Sequence, residues 1–306
     1  MKTVGVTGGS GFIGRHLTEV LLAAGYEVIV FSRQIPEVAA HERLLWTRWD
    51  PGTQTMDTTA LGKLHALVHL AGAGIADKRW TAQRKQEIFN SRVEGTRFIV
   101  TQLKEHAPLC TSFVSISATG YYGPDRPGHK PFTEQAPHGN DFLAATCMAW
   151  EAEALMAAAT MRTVILRLGI VLGKGGGAYP SLARPLSFGI MAVPGNGNQV
   201  TSWIGLSDLC RMILFALQQQ GMSGIYNAVS PRPVPYNELM QTIAAVKGSR
   251  IAIPLHLPPA ILKLAIGEMS SDLLSSCTVS AQKISDAGFR FQSPDIRKTI
   301  EMIVTE

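Results

Sequence analysis

The sequence has few of the features that mark metal-binding, secreted, membrane or nucleic-acid-binding proteins. Its four cysteines lie far apart and form no Cys-x-x-Cys pair, so neither a zinc site nor a disulfide framework is predicted. No apolar run reaches the ~18 residues that a membrane span needs, and no leader is predicted before the first strand. Lys and Arg are scattered and not clustered with aromatics, which argues against nucleic acid. These absences favour a cytoplasmic protein that acts on small molecules.

A glycine-rich stretch opens the chain, where residues 1–14 are MKTVGVTGGSGFIG. Gly8, Gly11 and Gly14 follow a short β-branched segment and precede an apolar pattern of helical spacing. The order is therefore strand, glycine loop and helix. Free N–H groups at a helix start attract phosphate, and glycines let a pyrophosphate approach the backbone. The stretch predicts a dinucleotide-binding loop, the alternative being a purely structural turn.

The end of the second predicted strand, 27–31, indicates which dinucleotide is bound. An Asp at this place would accept a hydrogen bond from the adenosine 2′-hydroxyl, but this chain has Ser32 and Arg33. A guanidinium suits a 2′-phosphate instead. The sequence therefore predicts NADP(H) over NAD(H). The alternative is that Arg33 only points to solvent.

Strands and helices alternate through the first part of the chain, which predicts an α/β fold with a doubly wound parallel sheet. Further strands are expected at 44–49, 66–71, 113–117, 163–168 and 225–229, with long helices at 81–106 and 141–159. After residue 172 the composition changes, and short helices are expected at 236–247, 258–266, 280–287 and 294–304. His65 and His69 lie four residues apart, but without a third ligand nearby they make a weak metal site.

Five blocks of sequence resemble one known family. The blocks are residues 7–14 (TGGSGFIG), 69–72 (HLAG), 115–123 (SISATGYYG), 167–173 (RLGIVLG) and 203–208 (WIGLSD). Together they resemble the extended short-chain dehydrogenases/reductases of the NAD-dependent epimerase/dehydratase group. Residues 287–291 (AGFRF) are similar to a distinctive C-terminal segment of an atypical bacterial branch.

The resemblance implies a Rossmann domain and a smaller, mixed but mainly helical C-terminal lobe. The Rossmann domain would take residues 1–172 and part of 207–230, and the lobe would take 173–206 and 231–306. A small-molecule substrate would lie in the cleft between them. A homodimer that pairs through the two long helices is possible by the same analogy.

The resemblance also implies a set of cofactor-binding residues. Gly8, Gly11, Phe12, Ile13 and Gly14 match the pyrophosphate loop, and Ser32 with Arg33 match the ribose position. Leu70, Ala71 and Gly72 match the wall beside the adenosine half, and Val171 matches a position near the nicotinamide. Arg92 stands where the family has the asparagine of its NxxGT block. We expect it to pair with Glu87 and close over the cofactor, the alternative being an ion pair on the helix surface.

The catalytic pair of the family is missing from this sequence. Extended reductases use a Tyr-x-x-x-Lys pair, in which the tyrosine moves the proton and the lysine lowers its pKa. Here Leu143 and Cys147 occupy those positions, and 140–160 contains neither tyrosine nor lysine. Ser117 matches the family serine that binds a substrate carbonyl, and Tyr121 or Tyr122 could replace the acid. The alternative is that these residues shape the loop and pack the pocket.

Two functions therefore stay open. The first is an NADP(H)-dependent oxidoreductase or epimerase that acts on a small carbonyl compound or a nucleotide sugar. The intact cofactor motif and the large second lobe favour it. The second is a non-catalytic NADP(H)-binding protein, a redox sensor or a partner-binding module, which the missing tyrosine–lysine pair favours.

Overall fold

The strands of the fold come from both halves of the chain. The computed structural model describes residues 2–36, 41–128, 130–249 and 251–305. The first eight strands are β1 (Thr3–Thr7), β2 (Glu27–Ser32), β3 (Leu44–Asp50), β4 (Thr55–Met56), β5 (Ala66–His69), β6 (Ser112–Ala118), β7 (Arg162–Leu168) and β8 (Ile170–Gly173). The others are β9 (Gly176–Gly177), β10 (Ile190–Pro194), β11 (Val200–Thr201), β12 (Trp203–Gly205), β13 (Gly224–Ala228), β14 (Val234–Pro235) and β15 (Ile253–Leu257).

The helices fill most of the chain between the strands. In the first part they are α1 (Phe12–Ala23), α2 (Thr58–Leu61), α3 (Ala82–His106) and α4 (Phe142–Leu155), with 3₁₀ turns at Thr119–Tyr121 and Met156–Ala159. In the second part they are α5 (Tyr179–Ala183), α6 (Leu206–Gln218), α7 (Tyr236–Val246), α8 (Pro259–Ile266), α9 (Met269–Leu273), α10 (Gln282–Asp286) and α11 (Ile296–Thr305), with a 3₁₀ turn at Pro185–Phe188.

The main sheet confirms the predicted doubly wound fold. Within the described ranges it has eight strands in the order β13-β7-β6-β5-β1-β2-β3-β4. The pairings are parallel, except that the short β4 runs antiparallel to β3 at the edge. The strand order reverses beside β1, which is the position where open α/β sheets bind ligands.

Both faces of this sheet are buried. Along β2, Val28 and Val30 point into the hydrophobic cluster that contains α1 and α6, whereas Ile29 and Phe31 point into the cluster on the other side, which contains α3. Because successive side chains of a strand point to opposite faces, a strand covered by helices on both sides must be apolar throughout. This requirement explains the continuous apolar run of the second predicted strand.

The second half of the chain contains more β-structure than the sequence suggested. Residues 200–205 contain the two short strands β11 and β12, and β12 belongs to a small sheet with β8 and β9. The strands β10 and β15 form a parallel pair, and β11 pairs with β14. These strands have two to five residues each, too few for a clear period-two pattern.

The segment at 287–291, which the resemblance singles out, packs the C-terminal part of the chain against α6. Gly288 has φ +100°, which favours glycine, and it turns the chain so that Phe289 is buried. The Phe289 ring lies edge-on to Phe215 of α6, with 5.6 Å between ring centroids, and edge-on to Phe291 at 4.9 Å. The distinctive segment is therefore a packing element.

One expectation about apolar stretches needs correction. Phe142–Ala159, which contains α4 and the 3₁₀ turn after it, has 18 residues and a mean hydropathy of 1.2, enough by length and composition to cross a membrane. In the structure 44% of this window is buried. Leu143, Cys147, Trp150 and Ala154 form its buried stripe, and the helix packs against α3. Buried core helices of other proteins pass the same test.

We expect Phe289→Ala to destabilise the protein by about 3 kcal/mol, because removing a buried phenylalanine leaves a cavity. Phe289 is 3% exposed, whereas Phe188 is 78% exposed, so Phe188→Ala is the matched control. Urea unfolding followed by circular dichroism measures both variants. Equal stability of the two variants would show that packing of residues 287–291 against α6 does not stabilise the protein.

Candidate functional site

The glycine loop has the geometry that a pyrophosphate requires. Gly8 has φ +71°, and Gly11 precedes α1 without a side-chain cap, so no side chain occupies the first N–H groups of the helix. A Cβ on Gly14 would lie 2.3 Å from the carbonyl oxygen of Gly8. Since only glycine fits there, the loop can lie directly against the start of α1. Phe12 and Ile13 form the first turn of this helix.

Residues from three neighbouring strands surround the expected adenosine position. Ser32 ends β2 with its side chain buried, and Arg33 follows it exposed to solvent. Leu70, Ala71 and Gly72 follow β5, and a Cβ on Gly8 would lie 2.9 Å from the Ala71 nitrogen. The loop after β5 therefore forms the wall beside the glycine loop.

Glu87 lies on α3 with its carboxylate exposed to solvent. The hydrogen bond from Arg84 is the largest cause that lowers the pKa of Glu87, and the charge of Arg33 contributes as well. The roles of Arg33 and Glu87 at the adenosine end of a dinucleotide stay predictions.

The expected ion pair between Glu87 and Arg92 is wrong. Arg84 takes the Glu87 carboxylate, with Nη1 2.7 Å from Oε2. Arg92 is 9% exposed and donates from Nη1 to the carbonyl oxygens of Ala73, at 3.0 Å, and Ile88, at 3.3 Å. The alternative of a surface ion pair is wrong too, because Arg92 is buried and has no carboxylate partner in the described part of the chain.

A cavity of about 470 Å³ lies beyond the carboxyl ends of β6 and β7. Arg92, Ser117 and Val171 line it, as the resemblance implies. The wall is otherwise largely apolar, with polar groups contributed by both halves of the chain. Those groups include Thr119, Thr146, Cys147, Gln199, Thr201, Ser202, Tyr236, Asp272, Ser275 and Ser276.

The glycine loop and this cavity are connected along the edge of the sheet. Gly8 contacts the loop after β5 at Ala71, and a Cβ on Gly72 would lie 3.5 Å from Cζ of Arg92. Arg92 in turn lines the cavity and lies over the ring of Trp150, 5.2 Å from its centroid. An extended dinucleotide could follow this path, with its nicotinamide end in the cavity.

A buried ion pair lies behind the wall of the cavity. Arg167 of β7 donates from Nε and Nη2 to the two carboxylate oxygens of Glu151 in α4, at 2.8 and 2.7 Å. Arg167 is 1% exposed and Glu151 4%. Two parallel bonds of this kind fix both side chains, and each charge compensates the burial of the other.

The predicted catalytic residues all contact this ion pair. Ser117, beside Arg167 in the sheet register, donates to Glu151 Oε1 at 2.7 Å. Arg167 Nη1 donates to the Tyr122 hydroxyl at 2.9 Å, and that hydroxyl donates to Asn227 Oδ1 at 2.6 Å. The guanidinium lies 3.4 Å from the centroid of the Tyr121 ring. The ion pair therefore holds all three candidates in place.

The two tyrosines do not line the cavity, whereas Ser117 does. Burial is the main cause that raises the pKa of Tyr122 to about 12, and both hydrogen bonds of its hydroxyl are made inside the protein. Tyr121 packs edge-on against Tyr122 and His138. This geometry favours the alternative in which the tyrosines shape the loop. A catalytic role for either one stays a prediction.

The residues that replace the missing pair lie in the cavity wall. Leu143 and Cys147, one helical turn apart on α4, both line the cavity. Burial, chiefly, and the nearby charge of Glu151 raise the pKa of the Cys147 thiol to about 12. Cys147 is therefore a neutral thiol at physiological pH, and this wall supplies neither a phenol nor an ammonium.

His69 has a structural role instead of a metal-binding one. Its Nδ1 lies 2.7 Å from the Thr7 hydroxyl and its Nε2 lies 3.1 Å from the Thr96 hydroxyl. Complete burial lowers its pKa to about 3, so the ring is neutral. His65 accepts a hydrogen bond from the Thr3 backbone N–H. No group of three His, Cys, Asp or Glu residues suited to a metal occurs among the described residues.

Sequence reasoning missed four residues of the site. Arg167 could have been found, because a charge inside an otherwise apolar strand needs a buried partner. Glu151, in an alanine-rich helix, is the matching partner. Tyr236 and Asp272 line the cavity from the second half of the chain, far from any motif, and the sequence contains no signal for them.

Comparisons with known proteins agree with this geometry. The model of the NAD dependent epimerase/dehydratase family matches residues 4–228. This chain belongs to that family. A second model, a domain of unknown function (DUF1731), matches residues 257–303, which include Asp272 and the segment at 287–291. The family assignment thus covers the sheet, the glycine loop and most of the cavity wall.

Relatives within the epimerase family match along the whole chain. The epimerase family protein YfhF of Bacillus subtilis is 32% identical over 305 residues, covering 99% of this chain and 98% of that protein. The crystal structure of human epimerase family protein SDR39U1 (isoform 2) with NADPH has a TM-score of 0.87 at 28% identity and covers 99% of both chains. A nucleoside-diphosphate sugar epimerase of Corynebacterium glutamicum has a TM-score of 0.78 at 30% identity, covering 99% of this chain and 58% of that one.

We expect Glu151→Gln to lower the free energy of unfolding by about 3 kcal/mol or more, because it leaves the Arg167 charge buried without compensation. Glu153→Gln on the same helix is the control. It removes the pair with Arg97, whose side chain is 54% exposed and that of Glu153 20%, and pairs in contact with solvent contribute little to stability. Urea unfolding of both variants measures the difference. A loss no larger in Glu151→Gln than in the control would contradict the role of the buried pair.

Proposed function

We propose that this protein binds NADP(H) and uses it in a redox reaction, as an oxidoreductase or an epimerase, on a small carbonyl compound or a nucleotide sugar. The observation that supports this most is the connected path from the glycine loop, past Gly72 and Arg92, to the cavity. A dinucleotide with its pyrophosphate at one end of this path would have its reactive ring at the other. The cavity has room beside the ring for a small substrate.

The residues present fit the cofactor. Gly8, Gly11 and Gly14 leave the helix N–H groups open to the pyrophosphate, and the close contact at Gly14 excludes any side chain. The exposed guanidinium of Arg33 suits a 2′-phosphate, and no carboxylate stands directly after β2 to bind a free 2′-hydroxyl. The bound NADPH in the related human SDR39U1 supports the same choice.

The chemistry of the cavity follows from its side chains. Bound NADPH would supply a hydride to a substrate beside it. Arg92 is the cation that lines the cavity in the described chain, and the hydrogen bonds from Nη1 to Ala73 and Ile88 hold it in place. Its remaining N–H groups could bind an anionic group of the cofactor. The apolar wall at Leu143 and Trp150 would keep water away from the reacting atoms.

The substrate class is supported by the size of the cavity and by the relatives. About 470 Å³ is in the range of small-molecule sites. The polar groups Gln199, Thr201, Ser202 and Ser276 can hydrogen-bond to hydroxyl or carbonyl oxygens. The relative from Corynebacterium glutamicum is described as a nucleoside-diphosphate sugar epimerase, which supports a sugar nucleotide as one candidate.

A non-catalytic NADP(H)-binding protein is the second candidate function. The observation that favours it is the wall of Leu143 and Cys147, which cannot perform the work of a tyrosine–lysine pair. Oxidation of NADPH that depends on an added carbonyl compound distinguishes the two functions, because a sensor would bind NADPH without consuming it.

We expect Arg33→Ala to weaken NADPH binding by about ten- to a hundred-fold and to leave NADH binding unchanged, since a charge-assisted contact to the 2′-phosphate is lost. Titration followed by nicotinamide fluorescence measures both affinities. Arg297→Ala, which removes an exposed arginine of α11, is the control. Equal preference for the two nucleotides in the unmodified protein would contradict the assignment of Arg33.

A further inference from the structure

The cavity offers few groups that can give a proton to a substrate. Ser117 already donates its hydroxyl proton to Glu151. Burial raises the pKa of Cys147 to about 12, and it raises that of Tyr236 to about 12. Efficient acid–base groups have a pKa near the working pH. A reduction in this cavity therefore needs an acid other than these three.

Among the described residues that line the cavity, Asp272 is the one that carries a carboxyl group. It lies in α9, between Met269 and Leu273, which line the same cavity. Its side chain forms no hydrogen bond or ion pair with any described residue, although its backbone carbonyl accepts from the Ser275 N–H. A carboxyl group that is open to the cavity and bound to nothing is free to meet a ligand.

Desolvation by the surrounding protein, chiefly, and the charge of Asp141 favour the protonated form of Asp272. The carboxylate of Asp141, which caps α4 by accepting from the Ala144 N–H, is the nearby anion that acts on it. Asp272 is exposed to solvent, yet the surrounding protein, chiefly, and Asp141 raise its pKa to about 6. Other titratable or charged groups on the walls it shares are Arg92, Cys147, Tyr236, Cys277, Tyr122, Arg126 and Glu268. None of these forms an ion pair with Asp272 within the described ranges.

We propose that Asp272 is the acid–base residue of this site, an inference that rests on the proposed reductive function. In the reduction, the carbonyl carbon gains the hydride, the C=O π bond breaks, and its oxygen takes the proton from the Asp272 carboxyl group. The products are the alcohol, NADP⁺ and the Asp272 carboxylate, which regains a proton from water. In the reverse reaction the carboxylate accepts the proton. The acid thus comes from the C-terminal segment and not from α4.

The test uses the whole protein with NADPH, and benzaldehyde and diacetyl as carbonyl probes. We expect Asp272→Asn to slow NADPH oxidation by about a hundred-fold or more and to leave NADPH affinity unchanged. In the unmodified protein kcat/KM should fall as the pH rises above about 6, since the acid loses its proton. In Asp272→Asn this pH dependence should disappear, and Asp272→Glu should restore part of the rate.

A second measurement does not depend on turnover. With aspartate labelled at the carboxyl carbon, the resonance that is missing from Asp272→Asn should titrate near pH 6 in the NADPH complex. The control is Asp286→Asn, which removes an exposed carboxylate of the same C-terminal segment. It should leave both measurements unchanged.

The possible results distinguish the role of Asp272 from the proposed NADPH-dependent function. Full activity in Asp272→Asn, or titration of the resonance at the ordinary value for aspartate, would overturn the role of Asp272 while leaving the proposed function intact. No NADPH oxidation by the unmodified protein with either probe would overturn the proposed function and, with it, this inference.

Discussion

The buried ion pair between Glu151 and Arg167 is the interaction on which the candidate site depends. It joins α4 to β7 and fixes Ser117 and both candidate tyrosines through direct contacts. A buried pair is costly to form, but once formed it tolerates the loss of neither partner. The wall of the cavity is therefore a rigid part of the fold, and the hydroxyl groups that attach to it are occupied by the protein itself.

This arrangement determines which side chains line the cavity in this member of the epimerase family. The wall formed by α4 presents Leu143 and Cys147, which give the cavity an apolar surface and a neutral thiol. Ionisable groups reach the cavity from other elements, Arg92 from α3 and Asp272 from the region after α8. The C-terminal part of the chain contributes, through Asp272, the carboxyl group that the other described walls of the cavity lack.

Much of the fold could be predicted, because its first half depends on local patterns. The spacing of Gly8, Gly11 and Gly14 and the apolar run of β2 each have a physical cause within a few residues. The contacts of Arg92 and Glu87 could not be predicted. Arg84 and Arg92 both lie on α3 with Glu87, and the packing of α3 decides that Arg84 pairs with the Glu87 carboxylate. The sequence also could not predict that Asp272 lines the cavity, because the position of Asp272 depends on long-range packing of a segment with no periodic pattern.

We infer that one continuous cleft holds NADP(H) with its nicotinamide in the cavity beside Ser117 and Val171. A crystal structure of the protein grown with NADPH would show where each part of the cofactor lies. We expect the pyrophosphate at Gly8 and Gly11, the 2′-phosphate against Arg33 and the nicotinamide inside the cavity. A nicotinamide outside the cavity, or a 2′-phosphate away from Arg33, would contradict it.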